Sequence, residues 1–191
     1  MKSIQPSDIR SNADYALARD AVRARLMAIK RARRVHLGDH VTILFENRDT
    51  MLYQIQEMMR VEGITDPKAI AHEIETYNEL VAGADELKAT LMLEYADPTE
   101  RDLALRALVG FQDCVSLQVE GGGRVMAQFD DRQISDGRIS SVHYVGFALG
   151  RENADAIRAG ASVSVAVVHP ELSVEHTLTD EQIEALRNDL A

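Results

Sequence analysis

Histidine and glutamate side chains are the residues of this chain best suited to acid–base or metal chemistry. His72, Glu75 and Glu79 are three and four positions apart, so a helix would place all three on one face. An imidazole beside carboxylates can bind a metal ion or exchange a proton. The same spacing suits a solvated helix face, because Ile70 and Ile74 form an apolar stripe opposite. We favour the solvated face.

Two further histidines lie in or after segments that alternate like strands. His143 shares a predicted strand face with Val145 and Phe147, which favours a buried, hydrogen-bonded imidazole over a metal ligand. His169 follows a predicted strand, a position where functional residues occur, although a plain loop is the simpler interpretation. His72, His143 and His169 are therefore weak candidates for metal binding or catalysis. The sequence identifies no catalytic residue and favours no metal or cofactor.

Several established site motifs are absent. His72-Glu73 begins an HExxH pattern, but Thr76 occupies the position of the second histidine. The single cysteine, Cys114, excludes a CxxC pair, and no histidine has a glutamate three residues before it. Gly121-Gly122-Gly123 lies between two alternating apolar segments and is not followed by Lys-Ser or Lys-Thr. A flexible hairpin loop is favoured there over a phosphate loop.

The sequence FENRDTMLYQ, residues 45–54, contains the densest group of hydrogen-bonding side chains. Asp49 or Thr50 could cap the helix that follows, and Asn47 could make the turn. Glu46 could pair with Arg48 or Arg60. The group is either a buried polar network, which we favour, or a binding surface. With Glu57 and Arg60, which follow this stretch, the candidate binding residues are Glu46, Asn47, Arg48, Gln54, Glu57 and Arg60.

The first 34 residues are basic, whereas the rest of the chain is acidic. They contain nine Lys or Arg and three Asp, while the whole chain has a net charge of −10. The basic stretch from Arg23 to Arg34 has no aromatic residues on which bases could stack, so docking on an acidic surface is favoured over nucleic-acid binding. The candidate docking residues are Arg23, Lys30, Arg31, Arg33 and Arg34.

Helical spacing dominates the first half of the chain. Asp66-Pro67 and Asp97-Pro98 each supply an N-cap followed by proline at the first helical position, and Gly83 would end the first of these helices. Alternating apolar residues predict strands between helices. The predicted helices are 12–34, 51–60, 66–83 and 103–109; 35–45 is a strand or hairpin, and 87–95 alternates like a strand but could be helical.

Alternation dominates the second half. It predicts a hairpin at 115–129 and strands at 139–149 and 162–168 with a short helix, 153–159, between them. Thr179 and Gln182 form a capping box that opens a final helix. The predicted class is α+β, with a helical N-terminal half followed by a mainly antiparallel, β-rich C-terminal half and a closing helix. We expect a single domain, 1–191, in which 1–110 and 111–191 could be subdomains.

The composition is that of an ordinary globular protein. Of the 191 residues, 46% are hydrophobic and 27% charged. The first residues lack the apolar core of a secretory signal, and no apolar run approaches the roughly 18 residues of a membrane span. A lone cysteine suits a reducing compartment. We expect a soluble, cytoplasmic protein without a membrane segment.

A set of residues spread over most of the chain has a recognisable order: Arg33-Arg34-Val35, Gly38, Phe45-Glu46-Asn47, Thr50, Gln54, Gln56-Glu57-Met58, Arg60, Glu62, Tyr77-Asn78, Thr90 and His169-Pro170. This order resembles an uncharacterised bacterial family, the domain of unknown function family 3501. The resemblance adds Tyr77 and Asn78 to the candidate binding residues.

The resemblance implies no established activity. Members of the family look like genomic companions of rubrerythrin and of cysteine-rich iron–sulfur oxidoreductases, which implies a link to redox or oxidative-stress metabolism. If a metal centre is involved, the partner carries it. The first hypothesis is therefore a non-catalytic accessory protein that docks on such a partner. The alternatives are an enzyme or metal-binding protein using His and Glu side chains, and a nucleic-acid binder using the basic N-terminal helix.

Overall fold

The computed structural model describes residues 2–130 and 137–190. Helices and strands are interspersed along this part of the chain, and the strands form two antiparallel sheets. Two short 3-10 turns, Pro6–Asp8 and Phe111–Asp113, accompany the α-helices. The helices of this part of the chain are α1 Asn12–Arg31, α2 Arg48–Glu62, α3 Pro67–Asn78, α4 Pro98–Ala107, α5 Gly150–Arg158 and α6 Asp180–Leu190.

The strands form a five-stranded sheet, here called the first sheet, and a four-stranded second sheet. The strand order is β1-β2-β3-β7-β6 in the first sheet and β5-β4-β8-β9 in the second. The strands are β1 Arg34–Leu37, β2 Val41–Glu46, β3 Glu86–Leu93, β4 Val115–Val119, β5 Arg124–Met126, β6 Gln128–Phe129, β7 Val142–Ala148, β8 Val163–His169 and β9 Leu172–Thr177.

The central pair of the first sheet joins the two halves of the chain. β3 pairs antiparallel with β7, so that Leu91 lies opposite His143 and Leu87 opposite Phe147. Because successive side chains of a strand point to opposite faces, each sheet turns one apolar face toward a common core. Helices α4, α5 and α6 also contribute to this core. The α+β class, the antiparallel sheets and the closing helix are thus confirmed.

A smaller apolar cluster lies within the helical part. It is formed by Ile4 near the N-terminus, Met51, Ile55 and Met59 of α2, and Ile74 of α3. α1 packs beside α2 and buries Tyr15 and Leu26. The three helices and the N-terminal segment therefore have their own core, next to the one between the sheets.

Helix starts follow the predicted capping chemistry. Asp66 accepts hydrogen bonds from the N–H groups of Lys68 and Ala69, and Asp97 caps α4 in the same way. The capping box at α6 also forms, because Thr179 N–H donates to Gln182 at 2.9 Å and Gln182 N–H donates back at 3.3 Å.

Some boundaries differ from the predicted ones. α1 ends at Arg31 rather than at residue 34, because Arg34 already pairs with Leu44 in the β1–β2 hairpin. α3 ends at Asn78, five residues before Gly83. The 115–129 hairpin is divided, since β5 stays in the second sheet while β6 pairs with β7 in the first.

β9 is an element that the sequence patterns did not predict. Its alternate residues are only half-buried, so it carries a weak apolar signal, and it pairs with β8 as an outer strand. None of the helices in the described ranges is both long enough and apolar enough to cross a bilayer.

The triple-glycine turn packs closely against α5. A Cβ atom at Gly122 would lie 2.1 Å from Oδ1 of Asn153, a distance that no real side chain tolerates. The same Oδ1 accepts a hydrogen bond from Gly123 N–H at 2.8 Å, and Nδ2 of Asn153 donates to the carbonyl of Leu149. This turn is therefore a packing contact with a defined partner.

Candidate functional site

Glu57 joins α1 to α2 through a compact polar network. Its carboxylate accepts hydrogen bonds from Arg19 Nε at 2.8 Å and Nη2 at 2.9 Å, and from the Tyr15 hydroxyl at 2.7 Å. Arg60, less than one turn further along α2, adds a bond at 3.1 Å. The Arg19 guanidinium lowers the pKa of Glu57 to about 2, against the opposing effect of burial. Glu57 is a structural anion whose charge is already neutralised.

Glu46 lies at the end of β2 with its side chain buried. Oε1 accepts a hydrogen bond from the Thr90 hydroxyl on β3 at 2.7 Å, whereas Oε2 is buried without a partner among the described residues. The predicted pairing of Glu46 with Arg48 or Arg60 is wrong, because each arginine binds a different carboxylate. Glu46 and Thr90 thus link two neighbouring strands.

Asn47 is the N-cap of α2. Its Oδ1 accepts a hydrogen bond from Thr50 N–H at 3.0 Å, and Thr50 Oγ accepts one from Asn47 N–H at 2.9 Å. Nδ2 of Asn47 also points to Asp189 on α6, at 3.4 Å. The cap is therefore Asn47 itself, not Asp49 or Thr50 as predicted.

Arg48 extends from the start of α2 to the N-terminal segment, where it pairs with Asp8. A hydrogen bond from the Gln5 backbone N–H lowers the pKa of Asp8, and Arg48 contributes to the same shift. Arg48 is consequently a tether for the N-terminal segment.

Two side-chain amides hold the same segment by its backbone. Asn78 Oδ1 accepts from Ile4 N–H at 2.8 Å, and its Nδ2 donates to the Ile4 carbonyl at 3.0 Å. Gln56 binds Arg10 in the same manner, with distances of 2.7 Å and 3.2 Å. Each amide replaces both hydrogen bonds that a neighbouring strand would give. The sequence singled out Asn78, but Gln56 was not among the candidate site residues.

Gln54 and Tyr77 are brought together between α2 and α3. Burial raises the pKa of the Tyr77 phenol, and a hydrogen bond with Gln54 opposes the shift. Tyr144 of β7 is near enough to add to the rise. Gln54 and Tyr77 thus link α2 to α3.

Arg33 is buried, which corrects its place among the predicted docking residues. Its guanidinium forms a two-pronged ion pair with Asp189 and donates a further bond to the carbonyl of Ala185 at 3.2 Å. Arg34 begins β1 and is half-buried; its carbonyl accepts a bond from Gln182. Arg33 faces α6 rather than solvent.

The remaining basic candidates lie on or beside the outer surface of α1. Arg23 and Arg31 are exposed, and Lys30 is half-buried with its Nζ 5.8 Å from the centre of the Tyr53 ring. Arg25, which was not in the predicted set, is 77% exposed and lies 3.3 Å from Asp49. Of these cations, Arg25 lines a small cleft between α1 and α2, and Lys30 lies beside Tyr53, which also lines it.

The cleft has a volume of about 190 Å³, with an apolar floor and a charged rim. Arg10 and Arg25 are on the rim together with Asp8 and Asp49. The rings of Tyr15 and Tyr53 also line the cleft. The apolar lining consists of Val22, Leu26, Ile29 and Leu52. A cleft of this size accommodates one aliphatic side chain rather than a large cofactor.

The three candidate histidines lie on three different elements, α3, β7 and β8. His72 is exposed on α3. His169 is buried at the end of β8, where its Nε2 donates to the Val109 carbonyl at 3.2 Å and its Nδ1 accepts from Glu171 N–H at 3.2 Å. Residues 2–130 and 137–190 contain no group of three or more His, Cys, Asp or Glu arranged to hold a metal ion.

His143 is a buried histidine on β7, as its strand face predicts. Its Nε2 lies 2.8 Å from the carbonyl of Ser140, and Phe129 packs edge-on at 5.3 Å between ring centres. Burial lowers the pKa of the His143 imidazole. Burial likewise raises the pKa of the Cys114 thiol, which makes it a weak nucleophile.

The fold and its polar contacts define an α+β protein with two antiparallel sheets, a helical layer and a tethered N-terminal segment. The chain belongs to the family described as "Protein of unknown function (DUF3501)", whose profile matches residues 3–190. A crystal structure of a novel protein of unknown function from Burkholderia pseudomallei K96243, at 1.90 Å resolution, is similar over 100% of both chains, with 34% sequence identity and a TM-score of 0.93. No curated protein matches the chain.

Proposed function

We propose that this protein is a non-catalytic accessory protein that binds an acidic segment of a partner protein at the cleft between α1 and α2. The observation that carries the proposal is the cleft itself, in which an apolar pocket for one side chain is bordered by exposed arginines. An extended segment with an aliphatic residue flanked by carboxylates has the matching chemistry.

The charges around the cleft support an acidic partner. Asp8 is already paired with Arg48, and the exposed pair of Asp49 with Arg25 is weak enough for a competing carboxylate to replace it. Arg10 and Lys30 add further positive charge beside the opening. The surface is thus locally attractive to anions on a chain that is acidic as a whole.

The positions of the acid–base candidates favour an accessory role over catalysis. Glu57 is held as an ion-paired anion, and His169 is bonded through both ring nitrogens to the backbone. His72 lies on an exposed helix face. A general acid or base must have a free group to reach its substrate, and Glu57 and His169 are already occupied.

We propose rubrerythrin, or a cysteine-rich iron–sulfur oxidoreductase, as the partner in the cytoplasm, with the metal centre on that partner. The family resemblance supports this choice, while the cleft supports only the chemistry of the contact. The two parts of the proposal are therefore tested separately.

The experiment measures binding of the full chain to each purified, fluorescently labelled candidate partner by anisotropy at low and high salt. We expect Arg25→Glu to weaken binding about tenfold or more, and high salt to weaken the wild-type complex. Leu52→Trp, which fills the cleft, should also weaken it. Arg151→Glu is the matched control, because Arg151 is an 89% exposed helical arginine beside an aspartate on α5.

Failure of both partners to bind would refute the proposed partner class. Binding that responds equally to Arg25→Glu and to Arg151→Glu would refute the cleft as the contact site, even if a partner is found. Circular dichroism of each variant establishes that the helices are retained.

A further inference from the structure

The side of α1 that faces away from α2 carries exposed apolar residues. Leu17 is 91% exposed and Met27 is 42% exposed. Alanines continue the same face at three- and four-residue spacing, and all of them are exposed: Ala13, Ala21, Ala24 and Ala28. The buried Tyr15 and Leu26 and the cleft-lining Val22 and Ile29 lie on the opposite side of the helix. Leu17 thus projects from a face lined by small side chains.

Charges along this helix change sign between its two halves. Asp14 and Asp20 lie in the N-terminal half, whereas the exposed Arg23 and Arg31 lie in the C-terminal half. Two such helices side by side attract each other when antiparallel, since each acidic half then meets a basic half. A parallel arrangement would place like charges together.

We propose that two copies of this chain associate through this face, with the two α1 helices packed antiparallel about a twofold axis. An axis between Ala21 and Val22 places Asp20 of each copy opposite Arg23 of the other. The same register places each Leu17 over the gap between Ala24 and Ala28 of the other copy, so a large side chain meets small ones. Alanines let the two helix backbones approach closely. This surface is distinct from the cleft and does not depend on the proposed partner.

The first test is the molecular mass by sedimentation equilibrium of the full chain over a range of concentrations. We expect a reversible dimer of the 21.2 kDa chain. Leu17→Asp should weaken dimerisation by about tenfold or more, while Leu103→Asp should leave it unchanged. Leu103 is the matched control, because it is a 65% exposed leucine on α4.

Charge exchange and cross-linking test the antiparallel register. Asp20→Arg and Arg23→Asp should each weaken the dimer, and the double variant should restore it. In a Cys114→Ser background, Ala21→Cys should form a disulfide between copies, whereas Ala13→Cys should not. A monomer at all concentrations, a dimer insensitive to Leu17→Asp, or cross-linking at position 13 instead of 21 would overturn the proposal.

Discussion

Arg33 and Asp189 are 156 positions apart in the sequence and form a buried, two-pronged ion pair. Arg33 lies between α1 and β1, and Asp189 lies near the end of α6. Asn47, the cap of α2, also donates to Asp189. One carboxylate therefore fixes the position of three elements: the α1–β1 connection, the start of α2 and the closing helix.

Removing one partner of this pair should be costly. We expect Asp189→Ala to lower the free energy of unfolding by about 3–5 kcal/mol, because Arg33 would remain charged and buried without a counter-ion. Urea denaturation measures the change. Glu184→Gln, which removes an exposed partner of Arg187 on the same helix, should cost only about 0–1 kcal/mol. Equal losses in the two variants would contradict the buried pair.

Replacing both partners of the pair should be milder than replacing one. We expect Arg33→Leu combined with Asp189→Leu to be more stable than Asp189→Ala, since no buried charge is left unpaired. The double-mutant cycle would give the coupling energy of the two side chains. If the double variant lowers the free energy of unfolding by the sum of the two single-variant changes, the two side chains act independently.

The Glu57 network should make stability depend on pH in acid. The pKa of Glu57 is lowered from 4.5 to about 2 in the folded protein, so its contribution is complete above 4.5 and is lost as the pH falls toward 2. We expect Glu57→Gln to be less stable than the wild type by about 1–3 kcal/mol at neutral pH. This difference should shrink below pH 4.5.

Urea titrations of both proteins at several pH values provide the measurement. Glu75→Gln, on an exposed face of α3, is the control and should change stability little. A difference between Glu57→Gln and the wild type that is constant across this acid range would argue against the lowered pKa.

The amide contacts of the N-terminal segment should control its local opening. Gln56→Ala removes two hydrogen bonds to Arg10, and we expect faster hydrogen exchange in residues 3–11 with little change in β8. Asn78→Ala should act in the same way at Ile4. Gln118→Ala, at an exposed position of β4, is the control. Unchanged exchange in residues 3–11 would mean that apolar packing alone holds the segment.

Burial of His143 should also make the stability of the folded protein depend on pH. Its imidazole pKa is lowered from 6.5, so the unfolded chain binds the proton more readily and stability should decline as the pH falls below 6.5. His143→Gln retains a donor near the Ser140 carbonyl but cannot titrate. We expect the wild type to lose more stability than this variant between a pH above 6.5 and one below it. Identical losses would contradict the shift.

Local patterns predicted most of the fold because the relevant interactions are local. The Asp-Pro helix starts, the Thr179–Gln182 capping box and the buried face of β7 depend on residues a few positions apart. β9 was missed because its half-buried alternation gives little apolar contrast. The β5–β6 division was missed because β6 is set by its pairing with β7.

The site was less predictable, since its partners are distant in sequence. The pattern singled out Glu57 and Arg60, but nothing near them indicated that Arg19 would supply the main counter-charge. The sequence pattern placed Arg33 among the exposed cations of a basic helix. Its counter-ion, Asp189, is too distant in the sequence for a local pattern to reveal. Only the folded arrangement separates this internal arginine from the exposed Arg23 and Arg31.

The central place of β3 has a consequence for the nascent chain. Its far edge is covered by β7, which the ribosome makes only after α4 and the β4–β5 hairpin. During that interval the unpaired N–H and C=O groups of an alternating apolar strand are open to any neighbouring polypeptide. Translation that terminates before Val142 would therefore release a product prone to aggregate.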